Sequence, residues 1–264
     1  MTPKWRLAAA SAVGTSHIAT GLPCQDSLAH AVIETLDDTV LVAVVSDGAG
    51  SAAHSDVGSW LAAKTFIECI EVFLGDGGEL AALNRSVVAG WIAEVRAALE
   101  ATAKDSGHVA RDYACTLLAA LAGSTMTAFV QVGDGAIVVS HGEEDGWSYV
   151  FWPQHGEYAN TTNFVVAPNV EDVMDFELAP RRIDEFAIFS DGIEKLVLHD
   201  ATRTVHESFF RKMFPPVRKL GAPGLDAELS EGLERYLSSP VICERTDDDK
   251  TLVLASRRPP SEPA

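Results

Sequence analysis

Residues 39–50 read Thr39-Val40-Leu41-Val42-Ala43-Val44-Val45-Ser46-Asp47-Gly48-Ala49-Gly50. An uncharged, β-branched run that stops at an Asp-Gly is a buried strand with a carboxylate at its end and bare backbone beside it. The same device recurs at Asp134-Gly135 after TAFVQVG and at Asp191-Gly192 after FAIFS, while Asp247-Asp248-Asp249 precedes Lys250-Thr251 and a further apolar run. A single Asp-Gly is an ordinary turn dipeptide. Three copies, each closing a buried-type strand, point instead to carboxylates gathered at the rim of a sheet. Hard oxygen ligands of that kind suit Mg²⁺ or Mn²⁺, and the chain reads as a metal-dependent hydrolase.

Outward from this core stretch, strands are expected at 5–13, 28–34, 39–46, 114–122, 125–132, 136–141, 148–152, 172–178, 186–190 and 251–255. Two long helical patterns, 54–74 and 80–104, lie together between the third and fourth strands, with GDGGE as the turn between them. A later helix is expected to run from Asp200 to Met213 and to break at Pro215-Pro216, and another spans 226–237. Strands in hairpin-like succession, interrupted by a helical pair, do not alternate as βαβ units would. The expected class is therefore α+β, an antiparallel β-sandwich flanked by helices. One domain is expected over 1–256, with 257–264 as a frayed polar tail.

The formal net charge of −18 comes with no basic stripe along the sequence, which argues against nucleic acid or an anionic membrane as partner. Cys24, Cys69, Cys115 and Cys243 are scattered, without a CxxC pair, as in reduced intracellular chains. No run reaches transmembrane length and no signal segment is evident, so a cytoplasmic protein is expected. The eight histidines form neither HxxxH nor HExxH, which disfavours a zinc hydrolase. Ser46 and Ser190 lie outside any GxSxG elbow, and SDGAGS lacks the lysine of a phosphate-binding loop.

The order CQDS, SDGAG, CT, VGDG, SDGI and DDKT, from Gly14 to Leu254, resembles the PP2C-type metal-dependent serine/threonine protein phosphatases. It is most similar to the compact bacterial branch, with GTSH…CQD and Gly156–Asn160 (GEYAN) as further matches. The resemblance implies a four-layer α-β-β-α sandwich and two Mn²⁺ or Mg²⁺ ions. Asp47 would bridge them, the Gly48 carbonyl would bind one, and Asp191 and Asp248 would hold the other. Asp26 would contact the pair through water, and Asp134 would help hold a weaker third ion. The paired metals would activate a shared water for attack on phosphoserine or phosphothreonine in a protein. It also implies a phosphoprotein substrate and a cognate Ser/Thr kinase.

The sequence departs from the family pattern at four places. Gln25 stands where members often carry Glu, and Gly21 where an Arg usually grips the phosphate, which leaves His17 as its nearby substitute. Ala49 replaces the His of many eukaryotic members, and Lys195, beside Glu194, takes the place of a third-metal partner. These departures motivate a second reading, a phosphatase-like binding or regulatory module with little or no turnover. A general small-phosphoester hydrolase is the third. Within the acidic triplet, Asp248 is expected to be the inward ligand, with Asp247 and Asp249 in a solvated turn.

Overall fold

The strand over Thr39–Ser46 sends alternate side chains to two different cores, Val40, Val42 and Val44 to one and Leu41, Ala43 and Val45 to the other. The computed structural model describes residues 4–140, 146–154 and 162–259. The elements in order are β1 (Arg6–Ala12), α1 (Thr15–Thr20), β2 (Ser27–Glu34), β3 (Thr39–Ser46), α2 (Ser55–Gly75) and α3 (Arg85–Asp105). Then come β4 (Leu117–Ala122), β5 (Thr127–Val132), β6 (Ala136–Ser140), β7 (Trp147–Tyr149), α4 (Val170–Val173), β8 (Asp175–Ala179) and β9 (Glu185–Phe189). The chain continues through α5 (Glu194–Val197), β10 (Leu198–His199), β11 (Thr204–Val205), α6 (Glu207–Arg218) and β12 (Gly224–Leu225). It closes with α7 (Ala227–Leu237), α8 (Pro240–Cys243) and β13 (Lys250–Ser256).

One sheet has the order β2-β3-β4-β5-β8 and the other β12-β1-β13-β9-β6-β7. Every pairing is antiparallel except the short β1–β12 contact. Leu118, Ala120, Phe129, Ile137, Ile188 and Val253 fill the space between the sheets. Phe66, Ile70, Ile92 and Val95 of α2 and α3 cover the outer face of the first sheet. Phe210, Phe214 and Val217 of α6, with Leu233 and Leu237 of α7, cover the outer face of the second. The result is the four-layer α-β-β-α sandwich. None of the helices among the described residues is long and apolar enough to cross a membrane.

Several local expectations are corrected. α6 runs through Pro215 and Pro216 to Arg218 instead of breaking before them. Phe210, Phe214 and Val217 recur on one buried face, and their burial outweighs the ladder bonds the two prolines cannot donate. The segment 80–104 is not one helix: a 3₁₀ turn at Leu80–Ala82 ends, and Asn84 caps α3 by accepting from the Ser86 and Val87 amides. The strand expected from 172 starts at Asp175, after the short α4. Arg257 is buried and its amide donates to the Asp184 carbonyl, so the expected tail does not begin at 257. His141, His155 and Gly156–Asn160 lie outside the described residues.

Candidate active site

Asp26, Asp47 and Asp191 come from points in the chain as distant as β2 and β9, and they meet at one end of the sandwich. Backbone bonds fix the approach. The Asp47 amide donates to Thr116 Oγ1 at 2.9 Å, and the Thr116 amide donates to the Asp47 carbonyl at 2.8 Å, so the Asp47 carboxylate alone is left to face the cluster. The Gly48 amide donates to the Gln25 carbonyl at 3.1 Å, and a Cβ on Gly48 would lie 2.7 Å from that carbonyl and from Ser55. Only glycine lets these segments approach so closely. The Gly48 carbonyl accepts no hydrogen bond among the described residues. Gly192 plays the same part for the Asp191 turn, which packs against the Asp249 carbonyl.

Asp26 is buried, and its Oδ2 accepts from Ser190 Oγ at 2.7 Å, while the Thr251 amide donates to that same hydroxyl at 3.0 Å. Its Oδ1 is buried with no hydrogen-bond partner among the described residues. Burial pushes the Asp26 carboxyl up to about 7, aided by the charges of Asp249 and Asp191 and opposed by the Ser190 and Thr251 bonds. Burial also lifts Asp47 well above the usual aspartate value, and Asp26, Asp191 and Asp134 raise it further. The Asp191 carboxyl beside Asp47 acts in the same direction. Asp134 accepts from Thr162 Oγ1 and lies close enough to Asp47 to act on its charge. No group of three His, Cys, Asp or Glu side chains among the described residues is already arranged as a metal cage. A buried carboxylate oxygen without a donor, amid three more carboxylates, is nonetheless a donor set for a hard cation.

The acidic triplet is ordered differently from expectation. Asp249 is the inward residue, 2% exposed, whereas Asp248 lies at the exposed rim. Strand periodicity accounts for this: Asp249, Thr251 and Val253 share the face between the sheets, and Asp248 falls on the other. Asp249 spends its carboxylate on structure, accepting from the Gly14 and Gln25 amides, both at 2.5 Å, and from His17 Nδ1 at 2.9 Å. Asp248 Oδ1 accepts from the Asp249 amide at 2.9 Å. Lys250, fully buried, donates from Nζ to the Asp248 carbonyl at 2.9 Å and braces this turn. Asp249→Asn replaces one acceptor with an NH₂ facing a donor. It should cost about 3 kcal/mol, checked by urea denaturation against wild type.

His17 stands on α1 with its side chain 12% exposed, and Nε2 makes no hydrogen bond among the described residues. Gly21 is the left-handed C-cap of α1 with φ +73°, and a side chain there would be strained. Gln25 is buried with its Oε1 unpartnered. Lys195 is exposed, and its neighbour Glu194 is buried. Asp249 escaped the sequence reading as a functional residue, although counting back by two from Thr251 would have found it.

Two facing antiparallel sheets carry helices on their outer faces and an acidic cluster at one rim. The chain belongs to the protein phosphatase 2C family, whose model matches residues 13–236. It is 37% identical over 252 residues to serine/threonine-protein phosphatase 3 of Escherichia coli strain K12, a match covering 95% of this chain and 98% of that one. Among solved structures, a bacterial serine phosphatase superposes with a TM-score of 0.61 at 14% identity, covering 97% of this chain and 98% of the other. The catalytic domain of the serine/threonine phosphatase PstP, solved with two manganese ions, gives 0.59 at 16% identity, covering 96% and 98%. The fold expectation and the family resemblance are both borne out, and the chain is an enzyme of the protein phosphatase class.

Proposed function

We propose that this protein hydrolyses phosphoserine and phosphothreonine in proteins with two bound Mn²⁺ or Mg²⁺ ions. The observation that carries the reading is the convergence of Asp26, Asp47 and Asp191, with the Asp26 Oδ1 buried and lacking any donor. The 37% identical relative carries the serine/threonine phosphatase name, and the PstP domain was solved with two manganese ions. In this reading Asp47, the Gly48 carbonyl and Asp191 would hold the metals, Asp248 would close the set from its place at the exposed rim, Asp26 would act through water, and Asp134 would serve a weaker third ion. Metals held there supply a water of lowered pKa and positive charge for the phosphate.

The protein's own residues do the rest. The Asp249 clamp fixes the 14–17 segment against the triplet, so His17 is held beside the acidic rim rather than swinging in solvent. With Nδ1 engaged by Asp249, Nε2 is the ring atom left for the substrate phosphate, in the absence of an Arg at position 21. His17→Gln should raise KM about tenfold, the loss of one charge-assisted hydrogen bond, with a smaller change in kcat. An unchanged KM would remove His17 from the phosphate site. The substrate is a phosphoprotein, and its phosphorylation would come from a Ser/Thr kinase.

Phosphate release from a phosphothreonine peptide, with Mn²⁺ or with EDTA, tests the reading. Metal-dependent release supports it. Peptide and Mn²⁺ binding without release would favour the non-hydrolysing module that Gln25, Gly21 and Lys195 suggest.

A further inference from the structure

The far end of the sandwich carries the opposite charge. β13 runs from the acidic turn at Asp249 to Arg257, roughly 25 Å of extended chain at ~3.3 Å per residue. At that end four separate segments bring together Lys4, Arg6, Arg182, Arg218, Arg257 and Arg258. Arg6 donates from Nη1 to the Arg218 carbonyl at 2.9 Å and from Nη2 to the Arg258 carbonyl. Arg218 forks onto Glu185 at 2.6 and 2.7 Å, and Arg258 reaches the same carboxylate at 3.4 Å. Asp184 accepts from Arg182 at 2.6 Å and from Arg257 at 3.1 Å. Asp38 acts on Arg257 from further away. Among the described residues, the cations of this pole thus outnumber its carboxylates, in a chain whose net charge is −18.

Lys4, Arg6 and Arg257 line a cavity of about 360 Å³, closed on one side by the 220–223 turn and by Pro259. Neither Lys4 nor Arg6 has a carboxylate within ion-pair distance among the described residues. The Arg6 Nε is buried and has no hydrogen-bond partner among the described residues. Arg257, buried over the Trp5 ring at 4.6 Å, is held rigidly on the other wall. The charges of this site are dispersed along the sequence, and only the fold assembles them.

We propose that this cavity binds a phosphate-type oxyanion, remote from the acidic cluster. An oxyanion would complement the Lys4 ammonium and the Arg6 guanidinium, the two lining cations with no carboxylate within ion-pair distance among the described residues. The volume falls in the range of small-ligand sites, so the ligand is either free phosphate or a phosphoryl group carried on a larger molecule. The proposal does not depend on whether the acidic cluster hydrolyses anything.

The test titrates inorganic phosphate, and separately a phosphothreonine peptide, into the full-length protein held in EDTA, by calorimetry and by the amide shifts of residues 4–7 and 220–224. Saturable binding is expected, weakened about tenfold by Lys4→Gln and by Ala222→Glu, each altering one charge. Both positions are exposed, so neither substitution threatens the fold. Tighter binding of the peptide than of phosphate assigns a carried phosphoryl group, and the reverse assigns the free ion. No saturable binding overturns the proposal. So does an affinity indifferent to both variants, or one lost equally in Lys64→Gln on the opposite helical layer.

Discussion

Asp47→Asn is expected to lower metal-dependent phosphate release by about a hundredfold or more, while leaving the metal-free protein more resistant to unfolding at pH 8 than wild type. Both halves follow from one fact: Asp47 is the carboxylate on which Asp26, Asp191 and Asp134 all act. In the proposed role its negative charge would help hold the cations, and a neutral amide supplies none. Metal-site substitutions further from the ion already cost about 10–100-fold, so loss of a bridging charge should exceed that. Without metal the same charge is a burden, since burial and three neighbouring carboxylates oppose its ionisation. The backbone bonds to Thr116 do not involve the side chain and should survive. Two measurements decide the matter: initial rates in Mn²⁺, and melting in EDTA. Wild-type rates together with wild-type Mn²⁺ affinity would remove Asp47 from the metal site.

The legible part of this protein was the part governed by periodicity. The 39–46 strand and the flanking apolar runs announced two buried sheets because each buries both faces and ends in Asp-Gly. Their ordered aspartates were readable for the same reason: a strand end fixes where a carboxylate must project. What the sequence hid depended on non-local packing. Pro215-Pro216 looked like a stop, but the buried face of Phe210, Phe214 and Val217 carries the helix past it. Asp248 and Asp249 differ only by strand register, and the long-range partners of Asp249 are Gly14, His17 and Gln25, more than two hundred residues away. The basic pole was invisible for a related reason. Its cations lie singly or in pairs on four segments, with no stripe or period to betray them.

Register also explains why Asp249, whose charge bears on Asp26, is itself satisfied. Asp249 is surrounded by donors, whereas the Asp26 Oδ1 has none among the described residues. The electrostatic strain of the metal-free protein therefore concentrates on Asp26 and Asp47, and it makes a second large effect measurable. In EDTA, stability should fall as pH rises from about 4 through 7. The folded Asp26 holds its proton up to about 7, while the unfolded chain releases it near ~3.9. Between those values the native state binds more protons than the unfolded state, so each step upward in pH favours unfolding. About three units at 1.36 kcal/mol each give a loss of about 4 kcal/mol from this residue, and Asp47 acts in the same direction. The informative quantity is therefore wild type minus Asp26→Asn, whose amide oxygen can still accept from Ser190. Urea unfolding in EDTA at pH 5 and pH 8 should show a steep loss in wild type and a shallow one in the variant. Mn²⁺ at pH 8 should restore wild type, since a cation that binds only the folded state stabilises it by mass action. Equal pH slopes in the two proteins would mean that Asp26 ionises freely in the fold, and the buried, donor-poor carboxylate would lose its claim as the heart of the metal site.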